Sequence, residues 1–266
     1  MPAAPLYPVK AWLPAPLYWP YRGIRALGVG FCFAAFWSVA VLLGWIWVPL
    51  LMIWPGTRDQ RIHRTLTSVR AGFKLFHFVM RSLRLYHCTS PYATIRPHGE
   101  PATGARILVA NHPSLCDTTA VCSLFPNVVA VARTGFADNF LLRRLIRATG
   151  FVPLGMHVLK GCEERLRSGF DVLIFPEGTR SPREGGVHPF HRGAFELAIR
   201  TKVPIVLIKL TCEPRALTKR LPIWKHPDHM AILTIDPVET IDPATMGIPS
   251  RELSSAIEQR YREMLS

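Results

Sequence analysis

ILVANHPSLCD, residues 107–117, decides how the rest of the chain is read. Ile107, Leu108, Val109 and Ala110 form an unbroken apolar run, the pattern of a strand covered on both faces. Asn111, His112 and Pro113 interrupt it, and a helical pattern over 115–124 follows. Strand, turn and helix in that order make the opening unit of an α/β layer structure. The unit places His112 at the carboxyl end of a strand, where such sheets gather their sites.

Downstream the alternation repeats. VVAVA (128–132), VLIF (172–175), PIVLIKL (204–210) and MAILTI (230–235) predict strands. Residues 139–149, 157–168, 190–201 and 250–265 carry helical patterns, and 212–229, with three prolines, predicts a loop. The expected fold is α/β over residues 89–266, with a largely parallel sheet flanked by helices.

Upstream the character changes. Residues 1–23, rich in Pro, Tyr and Trp, predict an irregular interfacial lead-in. Ala26 to Trp54 contains no charged residue. As a helix it would extend about 43 Å against roughly 30 Å of bilayer hydrocarbon. It is too long for a signal-peptide core and starts too far from the N-terminus. Trp37, Trp45, Trp47 and Trp54 suit a membrane interface, so the run is read as an anchor. Gly44 and Pro49 are candidate breaks. Lys10, Arg22 and Arg25 before the run and Arg58, Arg61 and Arg64 after it place both flanks on the cytoplasmic side, as in a re-entrant hairpin. A single tilted span is the alternative.

Residues 61–86 predict an amphipathic helix. Arg70, Lys74, His77, Arg81 and Arg84 share one face, and Leu66, Val69, Phe73, Phe76, Met80 and Leu83 another. Such a helix suits an anionic membrane surface. Residues 1–88 are therefore expected as a membrane-binding region. A loop carrying Pro91, Pro97, Gly99, Pro101 and Gly104 follows it.

Composition agrees. Hydrophobic residues make up 49% and charged residues 19%, leaving less charge than a soluble domain of ordinary composition carries. Lys and Arg number 32 against 18 acidic residues, a formal +14 that suits anionic lipid, an acidic carrier or nucleic acid. No nucleic-acid-binding motif accompanies the charge, which argues against the last. The six cysteines lack CxxC or other metal-ligand spacing and read as free thiols in a reducing compartment.

Two stretches carry chemistry. In NHPSLCD (111–117) a neutral imidazole can take a proton, and a carboxylate on its other ring nitrogen would fix the tautomer. Ser114-x-x-Asp117 equally fits a helix capping box, and spacing alone leaves both readings open. FPEGTRS (175–181) ends a second apolar strand. Its glycine turn exposes N–H groups, Arg180 offers a fork for phosphate or carboxylate, and Glu177 can accept a hydroxyl or pair with Arg180. His157, His188 and His191 have no carboxylate at a telling spacing and are assigned ordinary surface or cap roles.

Taken together, in this order and about sixty residues apart, the two stretches resemble the hallmark blocks of the glycerolipid and lysophospholipid acyltransferase family. HRGAFELAI (191–199) and KVPIVLI (202–208) are similar to two further family segments. The resemblance covers about residues 85–210 and implies a membrane-bound O-acyltransferase of phospholipid biosynthesis. It implies His112 as general base, Asp117 as its orienter, and Glu177, Gly178, Thr179 and Arg180 as acceptor-binding residues. The implied substrates are acyl-CoA or acyl-carrier protein as donor and a lysophospholipid-type hydroxyl as acceptor, with no cofactor or metal. The expected location is the cytoplasmic face of the inner membrane. One departure stands out: GFVPLGM (150–156) lacks the arginine that the family places there for the acceptor phosphate. Arg133 is the candidate substitute. TCEPRALTKRLPIW (211–224) is similar to acyltransferases found beside aryl-polyene-type lipid pathways, so a non-phosphate acceptor is a second expectation. Rival classes are a thioester hydrolase and a non-catalytic membrane-binding protein.

Overall fold

The computed structural model describes residues 14–92, 104–219, 221–222 and 225–266. Part of the expected lead-in (1–13) and most of the expected proline-glycine loop (93–103) lie outside those residues.

The sheet forms because five buried apolar runs align. In chain order the strands are β1 (Tyr86–Thr89), β2 (Ile107–Ala110), β3 (Val128–Ala132), β4 (Val152–Pro153), β5 (Asp171–Ile174), β6 (Ile205–Glu213) and β7 (Ala231–Ile241). Their order across the sheet is β1-β7-β6-β2-β5-β3-β4, and every pairing is parallel except β6 with β7. The expected fold, a largely parallel sheet flanked by helices, is the one observed. All four residues of β2 are buried, as a central strand with both faces covered requires.

Ten helices and one π-helical turn are described: α1 (Ala15–Leu42), the turn Leu43–Trp47, α2 (Val48–Ile53), α3 (Arg58–Ser82), α4 (Asp117–Leu124), α5 (Thr134–Ala137), α6 (Arg143–Ala148), α7 (Val158–Arg167), α8 (Gly193–Thr201), α9 (Pro243–Met246) and α10 (Ser250–Leu265). One core joins Leu108 and Ala110 to α4, α3 and the inner stripe of α1 at Val29 and Cys32. The other joins Ile107 and Val109 to α7, α8 and α10.

Several boundaries move, each for a physical reason. Two short strands escape the sequence pattern. Tyr86–Thr89 follows directly on a charged helix, and its pairing with β7 starts the sheet inside the stretch assigned to membrane binding. Val152–Pro153 is a two-residue edge strand, a position where proline is tolerated. Strand β7 runs on past Pro237 because the register with β6 shifts between Leu207 and Ile208, which absorbs the proline. Residues 14–23, expected as irregular, are helical from Ala15, with Pro16 in the first turn.

The apolar run does not break at Gly44 or Pro49. The π-helical turn Leu43–Trp47 joins α1 to α2, and Val48 N–H reaches back to Leu43 O. Pro49, which has no N–H to give, lies two residues past that widened turn, in the first turn of α2. Pro16–Ile53 is thus one helix of 38 residues, long and apolar enough to cross a membrane by length and composition; its most apolar 18-residue window has mean hydropathy 2.2 and is 17% buried.

Helix α3 returns alongside it. Thr57 and Gln60 form a reciprocal capping box, which starts α3 three residues before the expected position. Phe36 stacks on Phe73 at 6.1 Å, and Trp47 Nε1 donates to Ser68 Oγ at 2.8 Å. Both ends of the long helix are tied to the sheet domain. Arg22 pairs with Asp228 at 2.5 Å, and Arg25 donates to the carbonyls of Arg84, Pro227 and His229. At the far end Trp45 Nε1 donates to Leu141 O at 3.1 Å.

The cationic face expected on α3 is only partly present. His77 turns inward, its Nε2 3.0 Å from Thr119 Oγ1 and its Nδ1 3.3 Å from Cys88 Sγ. Burial lowers its pKa to about 4. Arg70 donates to Leu124 O, the last carbonyl of α4. The outward face mixes Lys74 and Arg81 with exposed Leu75 and Phe78.

Candidate active site

Buried Asn111 fixes where β2 ends. Its Nδ2 donates to Leu210 O and its Oδ1 accepts from Leu210 N, both at 2.8 Å, so its amide continues the ladder onto β6 as a backbone unit would. Sequence reasoning assigned Asn111 no role, although its place immediately after an apolar strand was the available signal.

The next residue is His112. Its N–H donates to Glu177 Oε1 (3.1 Å) and Ser181 Oγ (2.9 Å), and its carbonyl accepts from Ser181 N–H at 2.8 Å. The imidazole stacks on Phe175, with ring centroids 4.2 Å apart and planes 18° apart. Nδ1 lies 2.7 Å from Asp117 Oδ2. The His112 side chain is 20% exposed, whereas that of Asp117 is fully buried.

Asp117 Oδ2 also accepts Ser114 N–H at 2.8 Å. The capping reading and the histidine reading therefore coexist on one oxygen. The box is only half made, because α4 has Cys116 at its N-cap with no side-chain cap. A carboxylate offers no proton, so the Nδ1 contact requires the imidazole proton on Nδ1. That leaves the Nε2 lone pair outward, without a partner among the described residues. Burial raises the Asp117 pKa, and the His112 hydrogen bond, the Ser114 N–H and the charge of Arg180 oppose that rise.

FPEGTRS is brought to the same place because β5 lies beside β2. Phe175 supplies the stacking ring. Glu177 does not pair with Arg180. It is 3% exposed, and three donors occupy it: Ser181 Oγ (2.5 Å) and His112 N–H on Oε1, and His188 N–H (2.8 Å) on Oε2. Burial raises its pKa against those three bonds. Glu177 thus ties the two motif loops together. Gly178 sits at φ +63°, and a Cβ there would lie 3.2 Å from the His191 ring. Thr179 is half-buried at the turn.

Arg180 donates from Nη1 to Leu217 O at 2.8 Å. Burial lowers its pKa, Asp117 raises it, and Arg133 lowers it again, so the three charges act on one another. Leu115 N–H also donates to Leu217 O, which makes the loop after β6 a wall of the site. His188 and His191 act through backbone and packing, consistent with ordinary roles. Among the described residues no group of three or more His, Cys, Asp or Glu side chains is placed to hold a metal ion.

Replacing Glu177 with glutamine is expected to cost about 1–3 kcal/mol, because an amide cannot accept on both sides and leaves a buried donor unmatched. Urea denaturation of the full chain in detergent measures it. An unchanged midpoint would mean that Glu177 is not what ties the loops.

Comparison with known proteins agrees with the fold. The family model described as Acyltransferase matches residues 94–210, a stretch that contains both motif loops. A chloroplastic 1-acyl-sn-glycerol-3-phosphate acyltransferase of Brassica napus is 27% identical over 195 residues, covering 70% of this chain and 53% of its own length. The 1-acyl-sn-glycerol-3-phosphate acyltransferase of Limnanthes douglasii is 30% identical over 190 residues, covering 68% and 62%. The chain thus spans about half to three fifths of the length of these relatives. The crystal structure titled 1-acyl-sn-glycerophosphate (LPA) acyltransferase, PlsC, from Thermotoga maritima shares the fold. Its TM-score is 0.69 at 21% identity, with 91% of this chain and 95% of that one covered. Over residues 94–210, the stretch that carries both motif loops, the chain thus matches the acyltransferase family.

Proposed function

We propose that the protein transfers a fatty acyl group from a thioester donor to the hydroxyl of a lysophospholipid-type acceptor, with His112 as general base. The observation that carries this reading is the 2.7 Å contact between Nδ1 and Asp117 Oδ2, with Nε2 left open. Nε2 takes the proton of the acceptor hydroxyl as its oxygen attacks the thioester carbonyl. The carbon–sulfur bond breaks, the ester bond forms, and the imidazolium returns its proton to the leaving thiolate. Asp117 holds the tautomer and stabilises the imidazolium. Acyl-CoA and acyl-carrier protein offer the same thioester and are both accommodated by this chemistry.

The relatives named above are 1-acyl-sn-glycerol-3-phosphate acyltransferases, which supports a phosphate-bearing acceptor. Arg180 and Arg133 are the groups to hold the phosphate, since the charge of Arg133 reaches Arg180 and lowers its pKa, beside Asp117. Arg133→Ala is then expected to raise KM for lysophosphatidate by about tenfold to a hundredfold, the worth of one charged hydrogen-bonded contact. KM for monoacylglycerol should stay unchanged. A second reading, an acceptor without phosphate, is favoured by exposed Leu154 and Met156 in the stretch where an arginine was expected. Faster turnover of monoacylglycerol than of lysophosphatidate, indifferent to Arg133→Ala, would select it.

The long apolar helix supports membrane attachment. With both its ends tied to the sheet domain, we place it along the membrane surface rather than across it. The basic flanks and six free, buried cysteines favour the cytoplasmic face of the inner membrane.

A further inference from the structure

Between β3 and α7 the chain makes an excursion, residues 133–156, that includes the short edge strand β4 and of which the proposed chemistry uses only Arg133. Its outward residues are apolar to an unusual degree for a short connection. Phe140 is 57% exposed, Leu154 48% and Met156 94%. Scattered singly, such residues would need no explanation. Here they continue the outer side of the long helix. Phe136 stacks on Trp37 at 5.9 Å, and Phe140 packs on Trp45 at 4.8 Å. Leu154 N–H donates to Ala132 O, which holds the second end of the excursion beside the first.

The charged residues of the excursion are basic but for one. Arg133, Arg143, Arg144 and Arg147 stand against Asp138. Arg143 lies over the Phe140 ring at 5.0 Å and Arg144 over the Trp45 ring at 4.2 Å. Exposed aromatics with guanidinium groups on their faces suit the headgroup level of a bilayer, where the ring meets acyl chain and the cation meets phosphate.

We infer that residues 133–156 form a second membrane-docking element: Phe140, Leu154 and Met156 enter the acyl region, and Arg143 and Arg144 bind anionic headgroups. The inference rests on the proposed membrane placement of the long helix. It seats the site mouth in the bilayer, because the excursion begins and ends at the strand ends that flank Arg133. An acceptor lipid would then reach His112 without leaving the membrane.

The test uses the full chain. All six native cysteines are buried, so a cysteine introduced at an exposed position can be labelled selectively. Met156→Cys and, separately, Ile53→Cys are labelled with a polarity-sensitive nitrobenzoxadiazole dye. The proteins are placed in phosphatidylethanolamine–phosphatidylglycerol vesicles with and without brominated acyl chains. At both positions the emission should shift to the blue and be quenched by bromine. Adding Arg143→Glu and Arg144→Glu should return the label at 156 to its aqueous emission and leave that at 53 quenched. A label at 156 that stays aqueous while that at 53 is quenched overturns the inference alone. So does a label at 156 shielded only on adding an acidic carrier protein, which would make the surface a protein dock. An aqueous label at both positions overturns the membrane placement of the helix as well.

Discussion

Alanine in place of His112 is expected to lower the turnover number for acyl transfer by about 10²–10⁴-fold, the range for loss of a general base. KM for donor and acceptor should change little, because the ring serves the proton and not the binding. The loops should hold, since the backbone N–H and carbonyl of residue 112 carry the contacts to Glu177 and Ser181, and alanine keeps both. A stability loss of about 1–3 kcal/mol is expected, because the substitution deprives the buried Asp117 of one donor. Steady-state kinetics at saturating donor, beside vesicle co-sedimentation, separate these effects. Activity at a tenth of the parent or above would remove His112 from the proton-transfer role.

Asp117→Asn is expected to lower turnover over a similar range, about 10²–10⁴-fold, by a different route. An asparagine whose amide oxygen takes the Oδ2 position still accepts from Ser114 N–H and from His112 Nδ1–H. What it lacks is the negative charge that stabilises the imidazolium as the ring takes the acceptor's proton. Stability should move the other way. Burial raises the Asp117 pKa, so the folded state holds this proton more tightly than the unfolded chain does. Its contribution is fully present below the unfolded pKa and is lost as pH rises through the folded value. At neutral pH the ionised carboxylate is therefore a cost to the fold, which asparagine removes. The variant should melt at or above the parent temperature at pH 7, with the difference vanishing below about pH 4, near the unfolded carboxylate value. A variant that lost activity and stability together would mark Asp117 as a structural cap.

Much of this was legible in the chain. ILVA and VVAVA are strands at their expected residues, because a fully buried strand leaves an unbroken apolar run. His112 and Phe175 meet because β2 and β5 are neighbours, and the two motifs at the ends of apolar strands indicated a shared edge. Glu177 is implied by the family resemblance as an acceptor-binding residue. It faces its own loops instead, since spacing cannot say whether a carboxylate meets solvent or three backbone and hydroxyl donors. The sequence puts His77 on the cationic face because its place in the i, i+4, i+7 series is the same whether the ring points out or, as found, packs against Thr119. Gly44 and Pro49 looked like breaks because helix propensity is local, whereas the π-helical turn that absorbs them packs on Leu141 and Leu145 of the sheet domain. The ties from Arg22 and Arg25 to Pro227, Asp228 and His229 join residues some 200 positions apart, and no pattern in the sequence announces them.

Acyl transfer is tested most directly by following both products at once. Purified full-length protein in anionic vesicles receives lysophosphatidate and an acyl thioester, and mass spectrometry counts released thiol and newly esterified lipid. Equal amounts of thiol and diacylated product, both lost in His112→Ala, are predicted. Thiol released with free fatty acid and no new ester would make water the acceptor, and no turnover with either donor class would leave a membrane-binding protein in place of an enzyme.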